Sequence, residues 1–571
     1  MEDRSSADSA LKQLFGHMSP GRRRQFWLVF ALMLAAAAAE VVTIGAVFPF
    51  LALISQPEAL RGLGWLPGIV PGDPLASAAI LLAGAAVVAG AIRLQLAWTT
   101  QRFSFGLGHE ISLEIQRRVL HQPYSWHVAH SSRDILSSLE KVQMLSSGVA
   151  LQFVQAVSAG VIALFIVAGL LAIEPVTAAL AAGALGLLYF AVSMITRRRL
   201  ARYSGAVSSS HGERIGIVQE SLGGIRDVIL DRAQPLYLDA FRRVDRQLTG
   251  ARAASTFLAT APRFVIESAG IVLIAGAALL LAGREGGFAG ALPVLGAFAL
   301  GAQRLLPLVQ QVYHAWSSIG SNRGLTEHIL ALLRLPMEED GKDEAAPLPL
   351  EREIRLEGLL FSYPGRSEPA LAGVDLAFAR GSRVAVVGPT GSGKSTLADL
   401  VMGLIVPDEG QVTVDGVPLR GERRRGWWRS IAHVPQTIFL ADASIARNIA
   451  FSTREEEIDH RRVAEAARRA QLAEFVETLP EGYGTRVGER GVRLSGGQRQ
   501  RLGIARALYK GASVLVLDEA TSALDEATEA AVIASLRAVP GLTILMIAHR
   551  LHAAFAADMV VRVERGRVSV D

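Results

Sequence analysis

The run Gly388-Pro389-Thr390-Gly391-Ser392-Gly393-Lys394-Ser395 ends a stretch of small residues in one cation and one hydroxyl. It follows the apolar Val384 to Val387 and precedes a helical pattern from Ser395 to Leu404. That order fits G-x-x-x-x-G-K-[ST] in the context such a loop requires, between a strand and a helix. Glycines let backbone N–H groups wrap phosphate oxygens at a helix N-terminus, Lys394 reaches the terminal phosphates, and Ser395, followed by Thr396, offers a hydroxyl to Mg²⁺. Further on, the apolar Val514-Leu515-Val516-Leu517 ends in Asp518-Glu519. Two carboxylates then emerge at the carboxyl edge of a sheet, where ligands of open α/β folds bind. Asp518 would hold the Mg²⁺ shell, and Glu519 is placed to orient or deprotonate a water attacking a γ-phosphate.

Between these two motifs stands Leu494-Ser495-Gly496-Gly497-Gln498, followed by a helical stretch from Arg499 to Leu508. With it the last third of the chain resembles the ATP-binding cassette (ABC) proteins. In that family the signature opens a helix that faces the γ-phosphate held by the other subunit's phosphate loop, so two chains sandwich two ATP molecules; the physics is anion binding by N–H groups and a helix dipole. The resemblance assigns further roles. Tyr363, in Phe-Ser-Tyr-Pro-Gly, matches the aromatic that stacks on adenine, and Gln436, in Val-Pro-Gln, matches the residue that senses Mg²⁺ and γ-phosphate. Asp525 matches the residue at the dimer interface, and His549, after the strand Thr543 to Ile547, the switch histidine beside the γ-phosphate. No motif is degenerate, Glu519 included, which favours a homodimer with two competent sites.

The elements that carry these motifs belong to a chain of two unlike parts. Of 571 residues 50% are hydrophobic and 19% charged, with a mean hydropathy of +0.32. That is too apolar for a soluble enzyme of this length. The net charge of +5 is small and lacks an aromatic-rich basic face, which argues against nucleic acid as a partner. With no cysteine, disulfides and thiol chemistry are excluded. Arg22-Arg23-Arg24 precede a long apolar run without a small-residue cleavage site, which reads as an anchor. Six apolar stretches are long enough to cross a bilayer: 27 to 54, 75 to 98, 149 to 173, 176 to 195, 264 to 282 and 288 to 309. The long loops after the second and fourth carry Arg102, Arg117, Arg118, Arg133 and Lys141, then Arg197 to Arg199, Arg202, Arg214, Arg226, Arg242, Arg243 and Arg246. By the positive-inside rule these loops and both termini face the cytoplasm.

The acidic, proline-bearing stretch 335–353 reads as a linker between a membrane domain, 1–334, and the cassette, 354–571. The expected fold class is thus an all-α, six-helix exporter-type membrane domain followed by an α/β P-loop cassette. Six spans and a cassette resemble an ABC exporter half-transporter of the bacterial inner membrane, whose long loops end in coupling helices. The tips fall near Gln122 to Ser131 and Gly224 to Gln234, segments that also suit amphipathic interfacial helices.

Ionisable residues within spans cost about 2.5–3.5 kcal/mol each to insert and default to functional candidates. Glu40, Arg93, Arg263, Glu267 and Arg304 are of this kind. In one reading Arg93, Arg263 and Arg304, near the cytoplasmic side and doubled in a dimer, grip a pyrophosphate headgroup and have no structural partner to lose. In the other, Arg263 pairs with Glu267 at i, i+4 while Arg93 and Arg304 reach for the interface. Ala261-Pro-Arg263-Phe-Val-Ile-Glu267, Arg304-Leu-Leu-Pro307, the first span ending in Pro49-Phe50, and Gln122-Pro-Tyr-Ser resemble the lipid-linked oligosaccharide flippases of bacterial protein glycosylation. The apolar segment Pro57 to Pro74 would then be an external, lipid-touching helix. The function this implies is ATP-driven translocation of an amphipathic lipid-linked substrate, a polyprenyl-pyrophosphate glycan, with ATP and Mg²⁺ as cofactors and a second copy of the chain as partner. Export of lipid A, a drug or a peptide is the alternative. An ATP-gated channel or regulator fits less well with an intact Glu519 and signature.

Overall fold

In the computed structural model the described residues are 16, 18–55, 73–130, 132–173, 175–282, 287–337, 345–365, 368–548 and 557–571. Most of the segment Pro57 to Pro74 and the whole of His549 lie outside them. The chain divides into two compact units, Met1–Gln122 with His130–Met337, and Pro123–Ala129 with Glu338–Asp571.

The first unit is helical. Its long helices are α1 (Pro20–Ser55) and α2 (Pro74–Leu120). After the short α3 (Tyr124–Ala129), which belongs to the second unit, come α4 (Ser132–Leu145) and α5 (Leu151–Ile173). Then follow α6 (Pro175–Gly223), the short α7 (Ile225–Leu230), α8 (Gln234–Ala282), α9 (Gly287–Ser321) and α10 (Arg323–Leu333). Five of the six expected spans lie within one of these helices; the third, 149–173, begins two residues before α5. Among the described residues Pro20–Val47, Leu75–Leu120 and Glu140–Ile173 are long and apolar enough to cross a membrane.

Helices α6 and α8 have 49 residues each. At 1.5 Å per residue each is about 70 Å long, more than twice a hydrocarbon core. They pack along one another, while α9 lies against α1, α5 and α8. A small core of Met33, Ala36, Ala37, Phe103, Ile166 and Phe298 closes the bundle. Alanines there allow the helix backbones to approach, the usual device where lipid removes the hydrophobic driving force.

Between α4 and α5 the helix widens into a π-turn, Ser146–Ala150. Such a turn leaves carbonyls off the α-ladder. Ser318 of α9 donates its Oγ proton to the Gly148 carbonyl at 2.7 Å. A Cβ at Gly108 would strike the Ser146 side chain, so glycine is what lets α2 approach here.

The described residues of the second unit form two sheets. An antiparallel one, in the order β2-β1-β4-β5, consists of β1 (Glu353–Phe361), β2 (Leu371–Ala379), β4 (Glu409–Val414) and β5 (Val417–Pro418). The other has the order β10-β9-β3-β8-β7-β6. Its members are β3 (Arg383–Val387), β6 (Ile431–Val434), β7 (Val514–Asp518), β8 (Thr543–Ile547), β9 (Met559–Glu564) and β10 (Arg567–Val570). Its pairs are parallel except at the β9–β10 edge. Strands β3 and β7 are buried almost throughout, as apolar runs covered on both faces must be. The parallel sheet is the one the sequence implies; the antiparallel sheet is an addition that the motifs do not announce.

Candidate nucleotide site and membrane charge cluster

The phosphate loop joins β3 to α11 (Lys394–Val401). Gly388 has φ 154° and Gly393 φ 111°. A Cβ at Gly388 would collide with the Val563 carbonyl, and one at Gly393 would come within 2.8 Å of the Ala370 carbonyl, so neither position admits a side chain. Lys394 Nζ donates to the carbonyls of Gly388 (2.8 Å) and Pro389 (2.9 Å), which holds the ammonium across the loop. The Ser392 hydroxyl is buried with no hydrogen-bond partner among the described residues. A buried donor of this kind fits a phosphate oxygen. Tyr363 sets its ring edge-on to Phe361 at 5.0 Å, and its hydroxyl lies 3.2 Å from Thr396 Oγ1.

Glu519 follows β7 with φ 49°, a left-handed conformation that a non-glycine residue adopts only when its surroundings dictate it. Its Oε2 accepts a hydrogen bond from Gln436 Nε2 at 2.7 Å. The catalytic-base candidate and the sensing glutamine, 83 residues apart, therefore meet directly. Gln500, which the motifs did not single out, braces the same turn: its Nε2 donates to Ser522 Oγ at 3.2 Å and its Oε1 accepts from the Ala523 N–H at 2.9 Å. Its place two residues after the signature was the available signal.

The signature helix α12 (Gly496–Lys510) is closed at its start by a capping box. Ser495 Oγ accepts from the Gln498 N–H at 3.3 Å and Gln498 Oε1 from the Ser495 N–H at 2.8 Å. Gly496 and Gly497 leave this helix end bare of side chains, as anion binding requires. Asp525 caps α13 (Glu526–Arg537) through the Thr528 N–H and hydroxyl, bonds that hold its carboxyl below the usual range.

A second missed residue is Asp399, on α11. Burial, and after it the nearby Asp518 carboxylate, push it up to about 6. Burial also raises the Tyr124 hydroxyl of α3, with Asp399 and Tyr363 contributing. Oxygen donors from Ser395, Gln436 and Asp518 suit a hard cation such as Mg²⁺.

In the membrane unit the arginine expectation needs correction. Arg93 Nη1 lies 2.8 Å and Arg304 Nη1 3.3 Å from the same oxygen, Glu40 Oε1. Arg263 Nε lies 3.7 Å from Glu267 Oε2 on its own helix. None of the three is therefore without a structural partner. Glu40, 2% exposed, ties α1 to α2 and α9; Arg93 and Arg304 turn toward it in place of running out to the interface, because a buried carboxylate needs counter-charge.

A strand-loop-helix phosphate site, a signature helix and a helical membrane unit in one chain define an ATP-driven membrane transporter. Comparison with known proteins agrees: residues 371–522 match the family model described as ABC transporter, and 26–281 the ABC transporter transmembrane region. The chain is 31% identical over 577 residues, 98% of its length and 92% of the other's, to an ATP-dependent lipid A-core flippase of Cupriavidus metallidurans. It is 44% identical over 251 residues, 43% of this chain and 42% of the relative, to a protein of the same name from Chromobacterium violaceum. A bacterial Atm1-family ABC exporter with ATP bound shares the fold, with a TM-score of 0.77 at 24% identity over 96% of this chain and 94% of that one. The chain belongs to the ABC transporter family, as a half-transporter of the exporter type. It is a multi-pass membrane protein that binds ATP and couples its hydrolysis to transport.

Proposed function

We propose that two copies of this chain form a flippase for a glycosylated lipid bearing phosphate or pyrophosphate. The observation that carries the reading is that likeness to a lipid A-core flippase extends over 98% of the chain and so includes the membrane half. The local patterns around Arg263 and Arg304 favour a polyprenyl-pyrophosphate glycan as cargo, while the relatives' names favour lipid A with its core.

Mechanistically, Lys394 and the loop N–H groups bind the β and γ phosphates, and Tyr363 receives the adenine. Ser395, Gln436 and Asp518 would hold Mg²⁺, which supplies charge neutralisation on the phosphates. Glu519, kept in place by Gln436, takes the proton of the attacking water, with His549 at the γ-phosphate. Ser495 to Gln498 and Asp525 complete the site of the partner subunit. Both termini and the cassette face the cytoplasm of a bacterial inner membrane.

The test is ATPase and flipping in proteoliposomes with polyprenyl-pyrophosphate oligosaccharide, lipid A-core, a drug and a peptide, beside a Glu519→Gln control. Stimulation by one of the two glycolipids is expected, with turnover in Glu519→Gln reduced by about 100-fold or more while ATP still binds. Stimulation by the drug or peptide alone would refute the glycolipid reading.

A further inference from the structure

Where α5, α8 and α9 meet, the membrane unit has an open cavity of about 350 Å³ lined by eleven residues, four of them glutamines. Helical spacing explains the convergence. Gln152 and Gln155 of α5 are three residues apart, and Gln310 and Gln311 of α9 are four and three residues before His314, so each set shares one face of its helix. Arg263, next to Pro262 in α8, completes the wall. These positions lie at the cytoplasmic end of three expected spans, the depth at which a lipid's headgroup sits.

Polar side chains in membrane helices usually satisfy one another across the bundle. Here two lining residues do so among the described residues: His314 Nδ1 lies 3.3 Å from Gln152 Oε1, and the Tyr313 hydroxyl 2.6 Å from Thr196 Oγ1 of α6. The Nε2 of Gln310 is buried with no hydrogen-bond partner among the described residues. The size falls within the range of small-molecule sites, which are mostly apolar with a few placed polar groups; here Ala259, Pro262, Pro307 and Tyr313 give the apolar wall and four carboxamides are the polar groups. Each carboxamide both donates and accepts, as a sugar hydroxyl does. A phosphate would demand surplus positive charge. The cavity has one guanidinium, and that one faces Glu267 at 3.7 Å.

We propose that this cavity is the carbohydrate subsite of the transporter: it takes the sugar residues next to the lipid's phosphate, with Gln155, Gln310 and Gln311 reading hydroxyl groups. The proposal rests on the cargo being glycosylated, and the experiment separates the two claims. Polyprenyl pyrophosphate with and without its oligosaccharide, and lipid A with and without its core, are titrated against ATPase activity in proteoliposomes, for wild type, Gln155→Leu and Gln310→Leu. Losing one hydrogen-bonding partner to a hydroxyl should raise the half-stimulating concentration of the glycosylated carrier about tenfold and leave that of the sugar-free carrier in place. Curves that move together, or not at all, would overturn the subsite. A wild type indifferent to every glycosylated carrier would instead overturn the flippase reading, and the subsite with it. Should the leucine variants fail to fold, wild-type His314 provides the readout: glycosylated carrier should slow its modification by diethyl pyrocarbonate severalfold, and sugar-free carrier should not. Equal protection by both would refute the proposal.

Discussion

At the residue scale, Asp399 shows how the phosphate site carries stored electrostatic cost. Its carboxyl is raised from 3.8 to about 6, first by burial and then by Asp518. A raised carboxyl means that the folded chain holds a proton the unfolded chain has already lost, so stability declines as pH climbs from about 4 to 6 and the full cost is present above that. Asp399→Asn removes the charge. Thermal melting of the nucleotide-free protein should show the variant more stable than wild type at pH 8, by on the order of 1–2 kcal/mol after allowance for solvent screening, with the gap narrowing toward pH 5. A gap that is constant with pH would mean that Asp399 is ionised throughout. Other residues of the site were readable in sequence because their types are forced by chemistry. Lys394, Ser395 and Glu519 have few substitutes, and Gly388 and Gly393 admit no Cβ. Asp399 was not readable, since nothing in the string Leu397-Ala398-Asp399-Leu400 says that its carboxylate faces another.

At the scale of elements, Glu40 joins three helices through one oxygen shared by two arginines. Removing the shared anion leaves two half-buried cations facing each other, a loss of about 1–3 kcal/mol once their exposure is discounted from that of a fully buried pair. Glu40→Gln should therefore lower the melting temperature in detergent, and adding Arg304→Gln should return part of it. A single change without effect on melting would show that the arginines act on cargo alone. Sequence exposed the ingredients of this cluster, because charges inside apolar runs stand out. The pairing was beyond it: Glu40 and Arg304 are 264 positions apart, and only the packing of α1 against α9 decides that they meet in preference to each reaching the interface. Arg263 and Glu267 differ in this respect. Four residues apart on one helix, they are a pair that the sequence offers by itself.

On the scale of the whole molecule, the phosphate loop and the signature belong to opposite halves of a working site in the proposed homodimer. Chains carrying Lys394→Ala mixed with chains carrying Ser495→Arg should form heterodimers with one composite site intact. ATPase activity above both parents is expected from verified heterodimers. Activity equal to the two inactive parents would mean that a single site cannot turn over or that the chains do not share sites. The cassette's class was legible because its motifs are short and contiguous; cargo was not, since the cavity of glutamines is assembled from α5, α8 and α9. The π-turn at Ser146–Ala150 bears on that assembly. An extra residue in one turn advances the helix by about 100°. The chain before it and the chain after it are thus out of phase. One rod presents Ser146 to the glycine notch of α2 and, a turn and a half later, Gln152 to His314 of α9. An uninterrupted α-helix of the same sequence would have to choose between those two neighbours.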